Sequence, residues 1–280
     1  MLDRGPWLCY TLNMITANIP FKSFQFPCGE RHVTVDLSMS PRPVDVEFLF
    51  RSNADIFELL LLCDAVKRQG GLLHRLTIPY VPYARQDRVN APGESLSLKV
   101  FADLINRLNF AHVTIHDPHS DVATALLDHV EVIEQYELLL PLILKHVPGP
   151  FYLVAPDAGA LKKTQKIAKA LSLLHPCLGV IESSKHRDTA TGNITGTVVH
   201  TSGLLGTTVT VGDQDVPIDY VICDDICDGG RTFIELAKEL RRIGAGRVQL
   251  FVAHGFFTKG RAIIEHEIDV VTAFHNHDRA

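Results

Sequence analysis

Tyr220–Phe233 reads YVICDDICDGGRTF. An apolar run, Tyr220–Cys223, ends in two adjacent carboxylates, Asp224 and Asp225. A short Gly-containing loop follows, and then Thr232–Ile243 has helical spacing. A near-continuously apolar run is the pattern of a strand covered on both faces. Strand, loop and helix in that order form the first half of a βαβ unit. Val248–Ala253 supplies the next strand. Upstream, Phe151–Asp157 reads as a strand and Ala160–Leu171 as a helix. His112–Asp117 reads as a strand, Ser97–Leu108 as a helix, and Leu76–Ala84 as a strand running into a loop. Ile56–Gln69 is a helix whose last turn holds Lys67 and Arg68 before Gly70-Gly71, a cation-then-glycine stop. Alternation at this pace predicts an α/β fold with mainly parallel sheets flanked by helices.

At roughly 150 residues per domain, 280 residues make about two domains. The Pro/Gly punctuation HVPGP near Lys145–Pro150 divides residues 1–147 from 148–280. Residues 57–80 and 233–255 share a helix, a Gly-containing stop and a strand, a hint of internal duplication. Hydrophobic residues are 46% and charged residues 21% of the chain, which excludes a disordered or low-complexity protein. A net charge of −5 argues against a general nucleic-acid binder. No apolar run reaches the roughly 18 residues of a membrane span. The first fourteen residues lack the apolar core of a signal peptide, and Met14 is a second candidate start. Six cysteines without a CxxC pair read as free thiols, which fits a reducing, cytoplasmic setting.

Five segments carry candidate chemistry. In Cys227–Thr232, glycines let backbone N–H groups approach an anion, and the helix N-terminus adds positive partial charge. Thr232 is placed to cap the helix. Asp224 and Asp225 can hold ribose hydroxyls or a magnesium shell. The plainer reading is a βα turn capped by Asp. The loop is neither a Walker A sequence nor GxGxxG. Tyr80–Arg88, YVPYARQDR, gathers Arg85, Gln86, Asp87 and Arg88 after a strand, either for a polyphosphate or as a solvated loop. His116-Asp117-Pro118-His119 and Ala155–Gly159 each put a carboxylate at a strand end, where α/β sheets bind ligands. A capping or core role for His119 stands beside that. Ser183–Asp188 places Lys185 and Arg187 two apart, and a plain solvated loop stands beside any functional role.

In this order, the segments resemble the phosphoribosyl pyrophosphate synthetase (ribose-phosphate diphosphokinase) family over about Phe24 to Ala273. PYVPYARQDR matches the family's PYxxYARQDR without a mismatch. Phe26–Glu30, Asp117-Pro118-His119, Ala155–Gly159 and Asp224–Thr232 are similar to its other elements. The resemblance implies two phosphoribosyltransferase-like domains, with the active site between them. It implies magnesium-dependent transfer of the β,γ-diphosphoryl group of ATP to the anomeric hydroxyl of ribose 5-phosphate. Arg85, Gln86, Asp87 and Arg88 would serve ATP. Phe26 and Glu30 would contact adenine across a subunit interface, so a homo-oligomer, a dimer or hexamer, is implied. His119, Asp157 and Asp224 would be metal ligands. Asp224, Asp225, Asp228, Gly229, Gly230, Arg231 and Thr232 would surround the sugar and its phosphate. Lys185 and Arg187 would be the catalytic cations of a mobile loop.

The departures from the family pattern are local. Its DTAGT loop is Asp228-Gly229-Gly230-Arg231-Thr232 here, its usual His is Ala158, and Cys28 replaces a polar residue. The first two cluster at the sugar-phosphate end. They raise the alternative of an acceptor with a substituted 5-phosphate, such as ADP-ribose, in a route to NAD. Two other classes are a non-catalytic regulatory homologue and a phosphoribosyltransferase. The first would be expected to lose Lys185, Arg187 or His119. The second would need neither the YARQDR segment nor a second domain.

Overall fold

The computed structural model describes residues 14–38, 43–172, 174, 177–187, 194–200, 206–211 and 214–277. The chain forms two compact units, Met1–Val132 and Ile133–Ala280. This division falls ahead of the Lys145–Pro150 punctuation. The helix in between, α4 (Gln135–His146), buries Leu138, Leu139 and Ile143 in the core of the second unit.

In the first unit, β1 (Ile15–Ala17) lies antiparallel to β4 (Pro43–Phe48) at the edge of a five-stranded sheet. β5 (Leu72–Ile78), β6 (His112–His116) and β7 (Val130–Ile133) complete it in the order β1-β4-β5-β6-β7. β4 to β6 are parallel. The helices between these strands are α1 (Asn53–Arg68), α2 (Ser97–Leu108) and α3 (Asp121–Leu126). Ser52 and Asp55 form a capping box at the start of α1, and Lys67 and Arg68 occupy its last turn. The strand running into a loop over Leu76–Ala84 begins earlier, at Leu72, and gives way to the loop after Ile78, because Pro79 has no N–H to give a ladder. An antiparallel hairpin, β2 (Phe21–Gln25) with β3 (Arg31–Val35), is an addition that the alternation did not predict. Arg31 ties it to α1 through Glu58 and, at 3.6 Å, Asp55.

The second unit holds β8 (Phe151–Ala155), α5 (Ala158–Leu171), β9 (Cys177–Arg187) and β10 (Ile194–His200). A small antiparallel pair follows, β11 (Thr208–Val211) with β12 (Gln214–Pro217). Then come β13 (Asp219–Cys227), α6 (Arg231–Arg242), β14 (Val248–Gly255), α7 (Arg261–Glu265) and β15 (Val270–Asn276). The sheet order is β10-β9-β8-β13-β14-β15, parallel except for β10.

β13 shows why its sequence is so apolar. Tyr220 and Ile222 enter one core with Phe233, Leu236 and Leu240 of α6. Val221 and Cys223 enter the other with α4 and with Ile167 and Leu171 of α5. Alternate residues of one strand therefore meet helices on opposite faces. The shared pattern of residues 57–80 and 233–255 corresponds to α1–β5 and α6–β14, both helix-to-parallel-strand crossovers, an arrangement common to βαβ units.

The thiols of Cys28, Cys63, Cys177, Cys223 and Cys227 are free, as their spacing implies. Among the described residues, no helix is long and apolar enough to cross a membrane.

Candidate active site

The topology itself marks a ligand position in the second unit. From β8 the chain crosses by α5 to β9 on one side, and from β13 it crosses by α6 to β14 on the other. A crevice opens between two such neighbours at their carboxyl ends, the common binding position in open α/β sheets. β8 and β13 pair in parallel with Val154 opposite Ile222. Asp157 on one side and Asp224-Asp225 on the other lie just beyond that pair.

These three carboxylates sense one another. Burial, with the charges of Asp225 and Asp157 nearby, pushes the Asp224 carboxyl well above the usual carboxylate range. The backbone N–H of Asp225 donates to Asp224 Oδ1 at 2.9 Å, and the two carboxyl groups also hydrogen-bond each other. Asp157 is the N-cap of α5, accepting from the Ala160 N–H at 3.1 Å. Such a cluster is costly to leave anionic without a counter-charge.

The loop after β13 differs from expectation in one respect. Thr232 does not cap α6. Gly230 is the N-cap, at φ +76°, and α6 begins at Arg231, which is exposed. The left-handed conformation favours glycine, and space demands it as well. A Cβ at position 230 would stand 2.5 Å from Cγ1 and Cδ1 of the buried Ile264. Gly230→Ala should therefore lower stability by about 2–4 kcal/mol, measured as a lower urea midpoint at unchanged slope.

The segment after β14 forms the loop's other wall, which the sequence reading missed. Thr258 Oγ1 donates to Asp228 Oδ1 at 2.7 Å, and its N–H donates to Asp228 O at 3.0 Å. A Cβ at Gly229 would stand 3.2 Å from Cγ of Lys259. Burial, with Asp224 and Asp228 nearby, pushes the Cys227 thiol up to about 12, so it stays protonated.

Lys185 and Arg187 lie in β9, not in a loop. Lys185 pairs with Thr197, and Arg187 with Ile194, in the antiparallel ladder to β10.

In the first unit, the candidate residues follow β5 and β6, which are adjacent and parallel. Tyr83 has φ +63°, and its hydroxyl donates to Asn53 Oδ1 at 2.5 Å. The Gln86 N–H donates to Tyr83 O at 2.8 Å, closing the turn that carries Arg85 and Gln86. Asp87 is 7% exposed. It accepts from Arg88 Nε at 2.9 Å and from Ser120 Oγ at 2.7 Å. Those bonds hold its carboxyl down at about 2. His119 stands next to Ser120 in the turn after β6. Asp117, two residues before it, is buried at φ +39°. Burial lowers the pKa of His116 at the end of β6. On the β2–β3 hairpin, Phe26 packs edge-on against Phe24 with ring centres 4.9 Å apart, and both are about half exposed. Glu30 accepts from the Cys28 thiol at 3.6 Å.

Comparison with known proteins gives consistent results. Residues 15–108 match the family described as the N-terminal domain of ribose phosphate pyrophosphokinase. The ribose-phosphate pyrophosphokinase of Thermococcus kodakarensis is 27% identical over 239 residues, covering 84% of this chain and 78% of that one. That of Mycoplasma pneumoniae is 28% identical over 242 residues, covering 83% and 67%. The crystal structure of phosphoribosylpyrophosphate synthetase from Mycobacterium smegmatis shares the fold of two phosphoribosyltransferase-like domains, with a TM-score of 0.66 and 24% identity over 85% of this chain and 73% of that one. The fold, the ordered motifs and these relatives point one way: residues 15–108 match the N-terminal domain of ribose phosphate pyrophosphokinase, and the chain is similar to ribose-phosphate pyrophosphokinases over more than four fifths of its length.

Proposed function

We propose that the protein transfers the β,γ-diphosphoryl group of ATP to the anomeric hydroxyl of ribose 5-phosphate, giving phosphoribosyl pyrophosphate and AMP. The observation that carries this reading is the three-carboxylate crevice of Asp157, Asp224 and Asp225 beside a glycine-bearing βα loop. The relatives' shared name, ribose-phosphate pyrophosphokinase, supports it.

The loop from Asp228 to Thr232 holds the 5-phosphate with backbone N–H groups at the start of α6. Arg231, Thr232 and the Asp228 carboxylate fixed by Thr258 frame it. Asp224 and Asp225 orient the ribose hydroxyls. Arg85, Gln86 and Arg88 hold ATP, and the Phe26 ring and Glu30 face its base. The acceptor oxygen then attacks the β-phosphorus in line. The bond from that phosphorus to the α,β-bridging oxygen breaks, AMP leaves, and the hydroxyl proton passes to solvent. Lys185 and Arg187 stabilise the charge on the leaving oxygen.

A magnesium ion fits this site as a companion of the phosphates. Among the described residues, no group of three or more His, Cys, Asp and Glu side chains is arranged to hold a metal by itself. Magnesium is commonly held by one or two carboxylates together with substrate phosphates. The mutually repelling Asp157 and Asp224 are suited to that share, and His119 to a share on the ATP side. When bound, the ion neutralises phosphate charge.

The alternative acceptor, a ribose with a substituted 5-phosphate such as ADP-ribose, draws support from one place. Arg231 is exposed at the first turn of α6, and Lys259 borders Gly229 on the same loop. Its product would belong to NAD synthesis. A homo-oligomer and a cytoplasmic location remain part of the proposal, resting on the exposed Phe24–Phe26 pair and the free thiols.

The deciding experiment supplies MgATP with ribose 5-phosphate or with ADP-ribose and quantifies AMP and the diphosphorylated sugar by mass spectrometry. AMP with phosphoribosyl pyrophosphate is the expected result. Product only from ADP-ribose would move the assignment to the alternative. Product from neither would overturn both and leave a regulatory homologue.

A further inference from the structure

We propose that Asp87 is a positioning residue, not an ATP contact: it braces the Arg85–Arg88 segment after β5 against the His119 turn after β6. The inference rests on the assignment of both segments to the ATP side.

Three observations carry it. The Asp87 side chain is 3% exposed, which leaves little surface for a polyanion to reach, and an anionic carboxylate would repel one. Its oxygens are already engaged. Oδ1 accepts from Arg88 Nε, and Oδ2 accepts from Ser120 Oγ at 2.7 Å and from Arg88 Nη2 at 3.4 Å.

The third observation concerns Ser120. It is the N-cap residue of α3, with the extended backbone of that position, φ −150° and ψ 166°. Serine is favoured there because its hydroxyl accepts from a free N–H of the first turn, typically worth about 1 kcal/mol. Here the hydroxyl makes no such cap bond and donates to Asp87 instead. The cap has been given up for a tie between the two segments.

The tie lies where the backbone needs holding. His119 stands between Ser120 and a strained stretch, Asp117 at φ +39° and 2% exposed. Left-handed conformations of non-glycine residues persist where their surroundings over-determine them. The Asp87–Ser120 bond fixes one end of that turn. Arg88, 71% exposed in its side chain, is held by Asp87 through Nε and, more loosely, Nη2. One buried carboxylate thus sets the positions of a candidate metal ligand and a candidate phosphate ligand.

The test is steady-state kinetics of Ser120→Ala, Asp87→Asn and the double variant, with Arg85→Ala as a control of the ATP-side assignment. Loss of a charge-assisted hydrogen bond corresponds to about 10-fold or more in the KM for MgATP. Asp87→Asn is expected to show at least that, and Ser120→Ala a few-fold, with the KM for ribose 5-phosphate held within about twofold. The double variant should be no worse than Asp87→Asn, because both changes remove one tie. A KM for MgATP unmoved by Ser120→Ala, with Arg85→Ala strongly impaired, would overturn the brace alone. Additive effects of the two changes would overturn it too, since they mean that Asp87 meets ATP by itself. No effect of Arg85→Ala either would overturn the ATP-side assignment beneath it. If Asp87→Asn does not fold, Ser120→Ala with Ser120→Thr, which keeps the hydroxyl and should restore the KM, decides the matter.

Discussion

Lys185→Ala is expected to lower the rate of AMP release by about 10³-fold, with the urea midpoint unchanged within about 0.5 kcal/mol. In the proposed reaction, charge gathers on the α,β-bridging oxygen as its bond to the β-phosphorus lengthens. A cation aimed at that oxygen interacts more strongly with the transition state than with bound ATP, so its removal falls on kcat. The KM for each substrate should move by only a few-fold. Folding should tolerate the change, since the local ladder is made by backbone groups of β9 and β10. Arg187→Ala should behave in the same way, and the double variant should fall short of the product of the two losses, because the cations stabilise one developing charge. Lys185→Arg, which keeps the charge with a different shape, should recover part of the rate. A Lys185→Ala enzyme with normal AMP release would remove the β9 cations from the mechanism and leave the remaining assignments standing.

What could be read in the sequence depends on how local the determining physics is. Tyr220–Cys223 is legible because burial on both faces demands an unbroken apolar run. The stop after α1 is legible because Lys67, Arg68 and the glycines act within one turn. Asp224 and Asp225 stand out because two successive carboxylates after an apolar run are conspicuous anywhere. Ser120, Thr258 and Lys259 do not stand out, because their meaning arises only when separate segments meet. Ser120 lies 33 residues from Asp87, and Thr258 lies 30 from Asp228. The cap expected at Thr232 lies at Gly230, two positions earlier, for a related reason. Thr232 has the better local capping chemistry, but Ile264 leaves room for only a glycine at position 230. The mobile loop that the resemblance implies for Lys185 and Arg187 is not visible in the residues themselves: Ser183–Asp188 is polar, and polarity alone cannot distinguish an edge ladder such as β9–β10 from a loop. The strand–helix alternation places the fold, the motifs place the chemistry, and long-range ties fix the details of both.

Asp224→Asn should make the free protein more stable and the enzyme nearly inactive. In the folded state the Asp224 carboxyl lies well above its ordinary value of 3.8, through burial first and then the charges of Asp225 and Asp157. Its ionisation therefore opposes folding. Below about pH 3.8 the group is protonated in both folded and unfolded chains and contributes no difference. As pH rises through the interval up to the folded-state value, the folded chain retains a proton that the unfolded chain has lost, so stability declines with pH and then levels off. The amide removes that decline. At neutral pH, Asp224→Asn should raise the melting temperature by several degrees, as expected for relief of about 1–2 kcal/mol in a chain of this size. At pH 3.5 its advantage should shrink towards zero. Activity should move the opposite way, by 10²-fold or more, because in the proposed reaction the carboxylate that strains the crevice also meets the ribose hydroxyls and a phosphate-bound cation. Magnesium with ribose 5-phosphate should stabilise the wild-type protein more than the variant, which differential scanning calorimetry can measure without turnover. A variant that is less stable than wild type at pH 7.5 would show that the Asp224–Asp225 hydrogen bond outweighs the repulsion. The crevice would then be a preformed structural pair, not a site held ready for a cation.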